Sequence, residues 1–291
     1  MTAGAAGAPQ PLGPPSIGLA LGGGSARGLA HIVVLEALDE LGLEPAAIAG
    51  TSMGAICGAL YAAGLPATEI RAGFAGQLVS RAAFAMHLAG RVASGFTSLW
   101  SVRSPSVIDN VTLLEMLLPD VLHCDFAALP IPFAAVAADY YANEQVVLDR
   151  GPLIPAIAAS CALPVWARPV ILDGRVLIDG GYVNPVPFDV VMDKVDITIA
   201  VDVIADSAPL AGAKVPALPR RRRAISGATQ MLFRSVVREK LRWSAPDILI
   251  RPAVGRFGSL DFFRLGDILA AAEPCKDELK RKLAQRLGAA G

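Results

Sequence analysis

The sequence predicts an α/β domain, a sheet carrying helices on both faces. Three observations predict it. A short apolar run, Ile17 to Leu21, stops at Gly22-Gly23-Gly24 and is followed by a helical pattern. A second run, Ile48-Ala49, enters Gly50-Thr51-Ser52-Met53-Gly54 and then an apolar, small-residue helix. Of 291 residues, 54% are hydrophobic but only 6% aromatic, so the apolar bulk is Ala, Leu and Val, as in α/β enzymes.

The elements follow in chain order. Met1 to Pro15 has no basic residue, and Pro9, Pro11, Pro14 and Pro15 break any apolar run, so residues 1–15 read as a flexible tail rather than a signal peptide. Ile17 to Leu21 reads as a buried strand entering a glycine turn. Leu29, Ile32, Val33, Leu35, Glu36, Leu38, Asp39 and Glu40 give a helix with one apolar and one acidic face, closed by Gly42. After Ile48-Ala49 the second helix runs to about Ala63, with Gly64 as its stop. Residues 73–108 scatter Phe74, Phe84, Met86, Leu88, Phe96, Leu99 and Trp100 among glycines, and read either as a helical cap with loops or as an ordinary peripheral helix pair. Ile131 to Asp139 and Gln145 to Leu148 read as strands joined by a polar turn, and Leu153 to Ala159 as a short helix. Asp173-Gly174 between Val170–Leu172 and Arg175–Ile178 signals a hairpin. Ile197 to Val203 and Ile248 to Ile250 are further strands, and Leu265 to about Leu287 reads as a helix with a break at Pro274.

Composition excludes several classes. So apolar a chain, with 18% charged residues, buries a core and is not disordered. A chain of this size can bury roughly 75% of its unfolded surface. A net charge of zero argues against a nucleic-acid binder. No stretch approaches the roughly 18 uninterrupted apolar residues of a membrane span. Cys57, Cys124, Cys161 and Cys275 form no C-x-x-C pair, which argues against a zinc site or disulfide framework and for a reducing compartment.

The zero hides a segregation. Residues 1–213 carry 9 basic and 19 acidic side chains, 214–251 carry 10 and 2, and 252–291 carry 7 and 5. The basic stretch includes Arg220 to Arg223 and a helical pattern from Ala224 to Trp243, preceded by a Pro-rich linker, 207–219. Arg234, Arg238 and Arg242 share one face; Ile225, Ala228, Leu232 and Val236 share another. Such a helix either lies on an anionic lipid surface or packs its apolar stripe on the core.

Gly50-x-Ser52-x-Gly54 carries the chemistry. Small flanking residues permit a sharp strand-to-helix turn that exposes the serine hydroxyl, and the following helix points its positive end at it. A serine nucleophile needs a base. His31, His87 and His123 are the only histidines, so a late histidine, as in the Ser…Asp…His order, does not exist here. His31 lies near the glycine turn, where it either approaches the site or is simply packed. A carboxylate acting directly is the alternative: Asp179-Gly180-Gly181 ends an apolar run, and partial burial would raise its pKa from about 3.9 toward that of a useful base. Asp139 and Asp202 also end apolar runs and compete. Gly22-Gly23-Gly24-Ser25-Ala26-Arg27-Gly28 misses the dinucleotide pattern at Arg27 but suits an oxyanion hole of consecutive N–H groups, with Arg27 locking the loop or binding phosphate.

At these residues the chain resembles the bacterial patatin-like phospholipase family. Gly18 to His31 resembles its glycine-rich oxyanion block, and Gly50-Thr51-Ser52-Met53-Gly54-Ala55 its nucleophile elbow. Ala159-Ser160-Cys161-Ala162-Leu163-Pro164 resembles a third block, with Cys161 where serine is common; Asp179 to Pro187 resembles the Asp-Gly-Gly block. The blocks cover about 16–204, and 205–270 resembles the family more loosely. The resemblance implies a three-layer α/β/α fold with a mostly parallel central sheet. It implies a catalytic domain over 16–204, and a C-terminal part, 205–291, that completes it. It also implies a Ser52–Asp179 dyad without histidine, an oxyanion hole from Gly22, Gly23, Gly24 and Arg27, and hydrolysis of phospholipid or lysophospholipid esters without metal or cofactor. An acyltransferase, a thioesterase and a non-catalytic lipid-binding protein are the alternatives on the same scaffold; a nucleotide-binding Rossmann protein is more distant. The expected place is the cytoplasm, in peripheral contact with the inner face of an anionic membrane.

Overall fold

Strand β1 (Ile17–Leu21) is buried at every residue, because its neighbours cover both faces. The computed structural model describes residues 15–79, 109–164, 166–204 and 221–288. The expected tail up to residue 14, the cap residues 80–108 and the linker 207–219 lie outside the described residues.

Within them the elements are β1, α1 (His31–Leu41), β2 (Ala47–Thr51), α2 (Met53–Ala62), α3 (Ala67–Val79) and α4 (Asn110–Leu117). Then come β3 (Phe133–Asp139), β4 (Glu144–Leu148), α5 (Leu153–Ser160), β5 (Val170–Leu172), β6 (Arg175–Asp179) and α6 (Asp189–Met192). The chain continues through β7 (Ile197–Val201), α7 (Arg221–Trp243), β8 (Ile248–Ile250), α8 (Leu265–Ala272) and α9 (Pro274–Gly288). The sheet runs β5-β6-β3-β2-β1-β7-β8, with β4 also paired to β3. Pairings β1–β2, β1–β7, β2–β3 and β7–β8 are parallel; β3–β4, β3–β6 and β5–β6 are antiparallel. The parallel centre therefore carries an antiparallel flank.

Alternation along the central strands builds three layers. Leu19, Leu21, Ile199 and Val201 point into the larger core, with residues of α1, α2, α5, α8 and α9. Ala20, Ala49 and Ala200 point the other way, into a smaller core with Val186, Phe188, Val191, Phe233 and Val237. Alanine on that face lets α6 and α7 approach closely. β8 and the helices after it join the same sheet and core.

Most predicted elements stand where the pattern puts them. Asp173 (φ 50°) and Gly174 (φ 73°) make the hairpin turn, and the C-terminal helix breaks at Glu273 before Pro274. Two details differ. Glu36, placed on a solvated acidic face by periodicity, is buried and held by Arg71 at 2.5 Å and Lys276 at 2.8 Å. On α7, the stripe that the core-packing reading would bury faces outward: Ile225, Ala228 and Leu232 are exposed, whereas Phe233 and Val237 are buried. The reason is the small face of the sheet, which accepts one aromatic anchor and one valine. Among the described residues no helix is long and apolar enough to cross a membrane.

Candidate active site

Parallel β1 and β2 are neighbours, so their C-terminal ends deliver Gly22-Gly23-Gly24 and Ser52 side by side, where open α/β sheets bind ligands. Ser52 has φ 55° and ψ −123°, a strained backbone for a residue with a side chain. Gly50 and Gly54 make room for that bend. A Cβ at Gly50 would stand 2.5 Å from Gly54 O, and one at Gly54 would stand 2.0 Å from Leu21 O. Helix α2 begins at the next residue, Met53, so its N-terminal amides face the hydroxyl.

Asp179 ends β6 opposite Ala137, one residue beyond Val136, which itself pairs with Thr51. That register carries Asp179 across β3 to the nucleophile. The carboxylate interacts with the Ser52 hydroxyl and accepts from the Gly181 N–H at 2.8 Å. It is 2% exposed. Burial pushes its pKa up to about 6, against the lowering effect of the Ser52 and Gly181 hydrogen bonds. The two glycines that follow are required by close approach: a Cβ at Gly180 would lie 2.1 Å from Val136 O, and one at Gly181 would lie 2.4 Å from the Phe233 ring.

The competing carboxylates are engaged elsewhere. Asp139 accepts from the Tyr141 and Ala142 N–H groups, both at 3.0 Å. Asp202 accepts from Ile204 N–H at 3.0 Å and pairs with Arg251 at 3.2 Å. His31 is fully buried, and burial holds its pKa down to about 4, so it is neutral near pH 7. Its Nε2 lies 2.7 Å from Gly22 O; a carbonyl only accepts, so Nε2 carries the proton. His31 thus pins the glycine loop through Gly22 O, and among the described residues its neutral ring makes no hydrogen bond with Ser52.

The loop backbone runs against the nucleophile: a Cβ at Gly23 would stand 3.3 Å from Ser52 Cβ. Two of the expected oxyanion donors are already committed, because Gly22 N–H donates to Val201 O at 3.0 Å and Gly23 N–H to Pro185 O at 2.8 Å. Among the described residues no group accepts from Gly24 N–H. Arg27 is buried behind the loop, its ionisation weakened first by burial and then by Arg234, with Asp261 as counter-charge. Its buried Nε has no hydrogen-bond partner among the described residues.

The glycine turn, the elbow and the Asp-Gly-Gly turn thus converge in space as well as in order, and the sequence model of the patatin-like phospholipase family matches residues 19–192. The chain belongs to the patatin-like phospholipase family. An uncharacterized NTE family protein of Mycobacterium tuberculosis is 39% identical over 188 residues, covering 64% of this chain and 49% of that protein. Patatin-like phospholipase domain-containing protein 7 of Rattus norvegicus is 32% identical over 194 residues, 65% of this chain and 14% of that protein. The matched stretch thus spans about half the length of the mycobacterial relative and far less of the rat one. Among solved structures, VipD of Legionella pneumophila superposes with a TM-score of 0.46 at 13% identity, over 91% of this chain and 66% of that one.

Three supporting residues of this patatin-like chain had no role assigned from sequence. Ser160, at the end of α5, is fully buried; its hydroxyl accepts from Ser52 N–H at 2.9 Å and donates to Val136 O at 2.6 Å. Cys161, next to it, interacts with the Ser52 hydroxyl; burial first, and the Asp179 charge second, push its thiol pKa well up, so it stays protonated. Lys240 of α7 donates to Asn184 Oδ1 at 2.8 Å and Val186 O at 3.0 Å, pairs with Asp189, and lies over the Phe188 ring at 4.1 Å. Asn184 in turn accepts from the Thr51 hydroxyl at 2.9 Å through its backbone oxygen. The adjacent Pro185 O holds Gly23. One loop therefore ties the Asp179 turn, the residue before Ser52 and the glycine loop together. The only sequence signal was the Asn184-Pro185 pair within the Asp-Gly-Gly block.

Proposed function

We propose that this protein is a serine acyl hydrolase that cleaves phospholipid or lysophospholipid esters with a Ser52–Asp179 dyad. The observation that carries the reading is the buried Asp179 carboxylate interacting with the Ser52 hydroxyl at a strained strand-to-helix turn. Ser52 Oγ attacks the ester carbonyl carbon while its proton passes to Asp179. The oxyanion is stabilised by the Gly24 N–H and by the positive end of α2. Collapse breaks the ester C–O bond, and the leaving alcohol takes the proton back from Asp179. Water then attacks the acyl-enzyme, giving a proton to Asp179; the acyl C–Oγ bond breaks, the acid leaves and Ser52 Oγ takes that proton back from Asp179. A base near pKa 6 is ionised at neutral pH and still basic enough to accept the proton. Substrate delivery from an anionic membrane belongs to the same reading, supported by the basic segment after residue 213.

The test is ester hydrolysis by purified wild type, Ser52→Ala and Asp179→Asn. Both variants should lose activity; retained activity in either overturns the dyad. Labelling of Ser52 by a fluorophosphonate probe separates an enzyme from a non-catalytic lipid binder. Product analysis with added alcohol or thiol acceptors separates hydrolysis from acyl transfer.

A further inference from the structure

Helix α7 presents apolar side chains to solvent along one stripe. Ile225, Ala228, Met231 and Leu232 follow helical spacing and are all exposed, Met231 at 62% and Leu232 at 47%. Single exposed apolar residues are ordinary on a protein surface; a contiguous stripe marks an interaction site. A neighbouring loop presents another apolar residue. Ser226 and Gln230 meet the Ser259 hydroxyl at 2.7 Å and 2.5 Å, and the next residue, Leu260, is 56% exposed.

The opposite side of this helix borders the candidate site. On the inner side of the same helix, Phe233 packs edge-on against Tyr182 with ring centroids 5.1 Å apart and fills the space beside Gly181. Ser259 O accepts from Ala26 N–H of the oxyanion loop at 3.1 Å. Basic groups frame the stripe: Arg238 and Arg242 are exposed further along α7, and Arg256 and Arg264 are exposed on the loop side. Over its whole length α7 carries seven basic residues and one acidic residue, Glu239.

We propose that this face docks on an anionic lipid bilayer, seating Ile225, Met231, Leu232 and Leu260 among the acyl chains with the flanking arginines at the headgroups. Charge selects that occupant. A second copy packed two-fold on the same face would set the arginines of one helix against those of the other. Residues 80–108 carry Arg81, Arg91 and Arg103 and no acidic residue, so their charge does not complement the face. Anionic lipid matches both the apolar stripe and its basic frame. The proposal deepens the lipid-ester reading and rests on it for the purpose of the surface, but its binding test does not depend on catalysis.

Flotation of the full chain with phosphatidylcholine vesicles, and with equimolar phosphatidylcholine and phosphatidylglycerol vesicles, tests this. The wild type should partition onto the anionic vesicles and much less onto neutral ones. Met231→Asp/Leu232→Asp should lower anionic partitioning at least about tenfold, and Arg238→Ala/Arg242→Ala should do so in a salt-dependent manner. Hydrolysis of soluble 4-nitrophenyl butyrate by Met231→Asp/Leu232→Asp should stay within about twofold of wild type, because the stripe faces away from the dyad. Equal binding to both vesicle types, or unchanged binding by Met231→Asp/Leu232→Asp, overturns the proposal. So does a wild-type dimer that this variant dissolves, or a joint fall of soluble-ester activity and melting temperature, which would mean that the stripe is packed. If the wild type fails to hydrolyse the soluble ester, the hydrolase reading fails while flotation still decides the surface.

Discussion

The hydroxyl of Ser160 accepts a hydrogen bond from the backbone N–H of Ser52 at 2.9 Å while donating to Val136 O at 2.6 Å. One buried side chain therefore holds the nucleophile's strained peptide against the neighbouring strand. Ser160→Ala leaves a buried carbonyl and the Ser52 amide without partners, at a stability loss of about 1–3 kcal/mol. Displacement of the nucleophile should lower kcat about 10–100-fold with little change in KM. Urea unfolding and steady-state kinetics on a soluble ester check both halves.

Asp179 must be ionised to accept the Ser52 proton. With its pKa pushed up to about 6 by burial, kcat/KM should fall as pH drops through about 6 and level off above it. A pH–rate profile shows this limb. A limb near pH 4 instead would mean that burial does not raise the Asp179 pKa.

Two buried groups pull stability in opposite directions with pH. The folded-state pKa of Asp179, about 6, is above its unfolded value, so folding holds a proton that the unfolded chain has released, and stability falls as pH rises from about 4 to 6. The folded-state pKa of His31, about 4, is below its unfolded value of about 6.5, so stability falls as pH drops from about 6.5 to 4. In the wild type the two offset over that window. Asp179→Asn should be more stable than wild type above pH 6, by up to about 3 kcal/mol, with the gain vanishing toward pH 4. The same variant should expose the His31 acid limb. Denaturant titrations from pH 4 to pH 8 measure it.

Lys240 joins α7 to the loop that carries Asn184 and Pro185. Lys240→Met removes the donor to Asn184 Oδ1 and Val186 O and leaves Asp189 without its cation. Because the pair is partly exposed, the stability loss should be modest, about 1–2 kcal/mol. The kinetic effect should be larger on kcat than on KM, a fall of about 3–10-fold, since the loop positions Asp179, Thr51 and Gly23 rather than the substrate. Lys240→Arg should recover part of it. Equal changes in kcat and KM, or none, would separate Lys240 from the site.

What was legible in the sequence was local. β1 and β2 are short apolar runs closed by turn residues, the Ser52 elbow is five consecutive residues, and the Asp179 turn is three. Each pattern depends on its own neighbours, so periodicity and glycine placement suffice to read it. The absence of a late histidine is likewise a matter of counting.

What only the tertiary structure decided lies in pairings far apart along the chain. Ser160 meets Ser52 across 108 residues and Lys240 meets Asn184 across 56. Which glycine amides remain for an oxyanion depends on Val201 and Pro185, from strands and loops that arrive much later. The buried side of α7 was set by the alanine-lined face of the sheet, which takes Phe233 and Val237 and turns Ile225 and Leu232 outward. By itself the sequence marked Ser52 and Asp179 as candidates, because backbone conformation at a turn is a local property. The fold decided the burial of Asp179, the supports of Ser52 and the outward face of α7, because burial and hydrogen-bond partners belong to the packed chain.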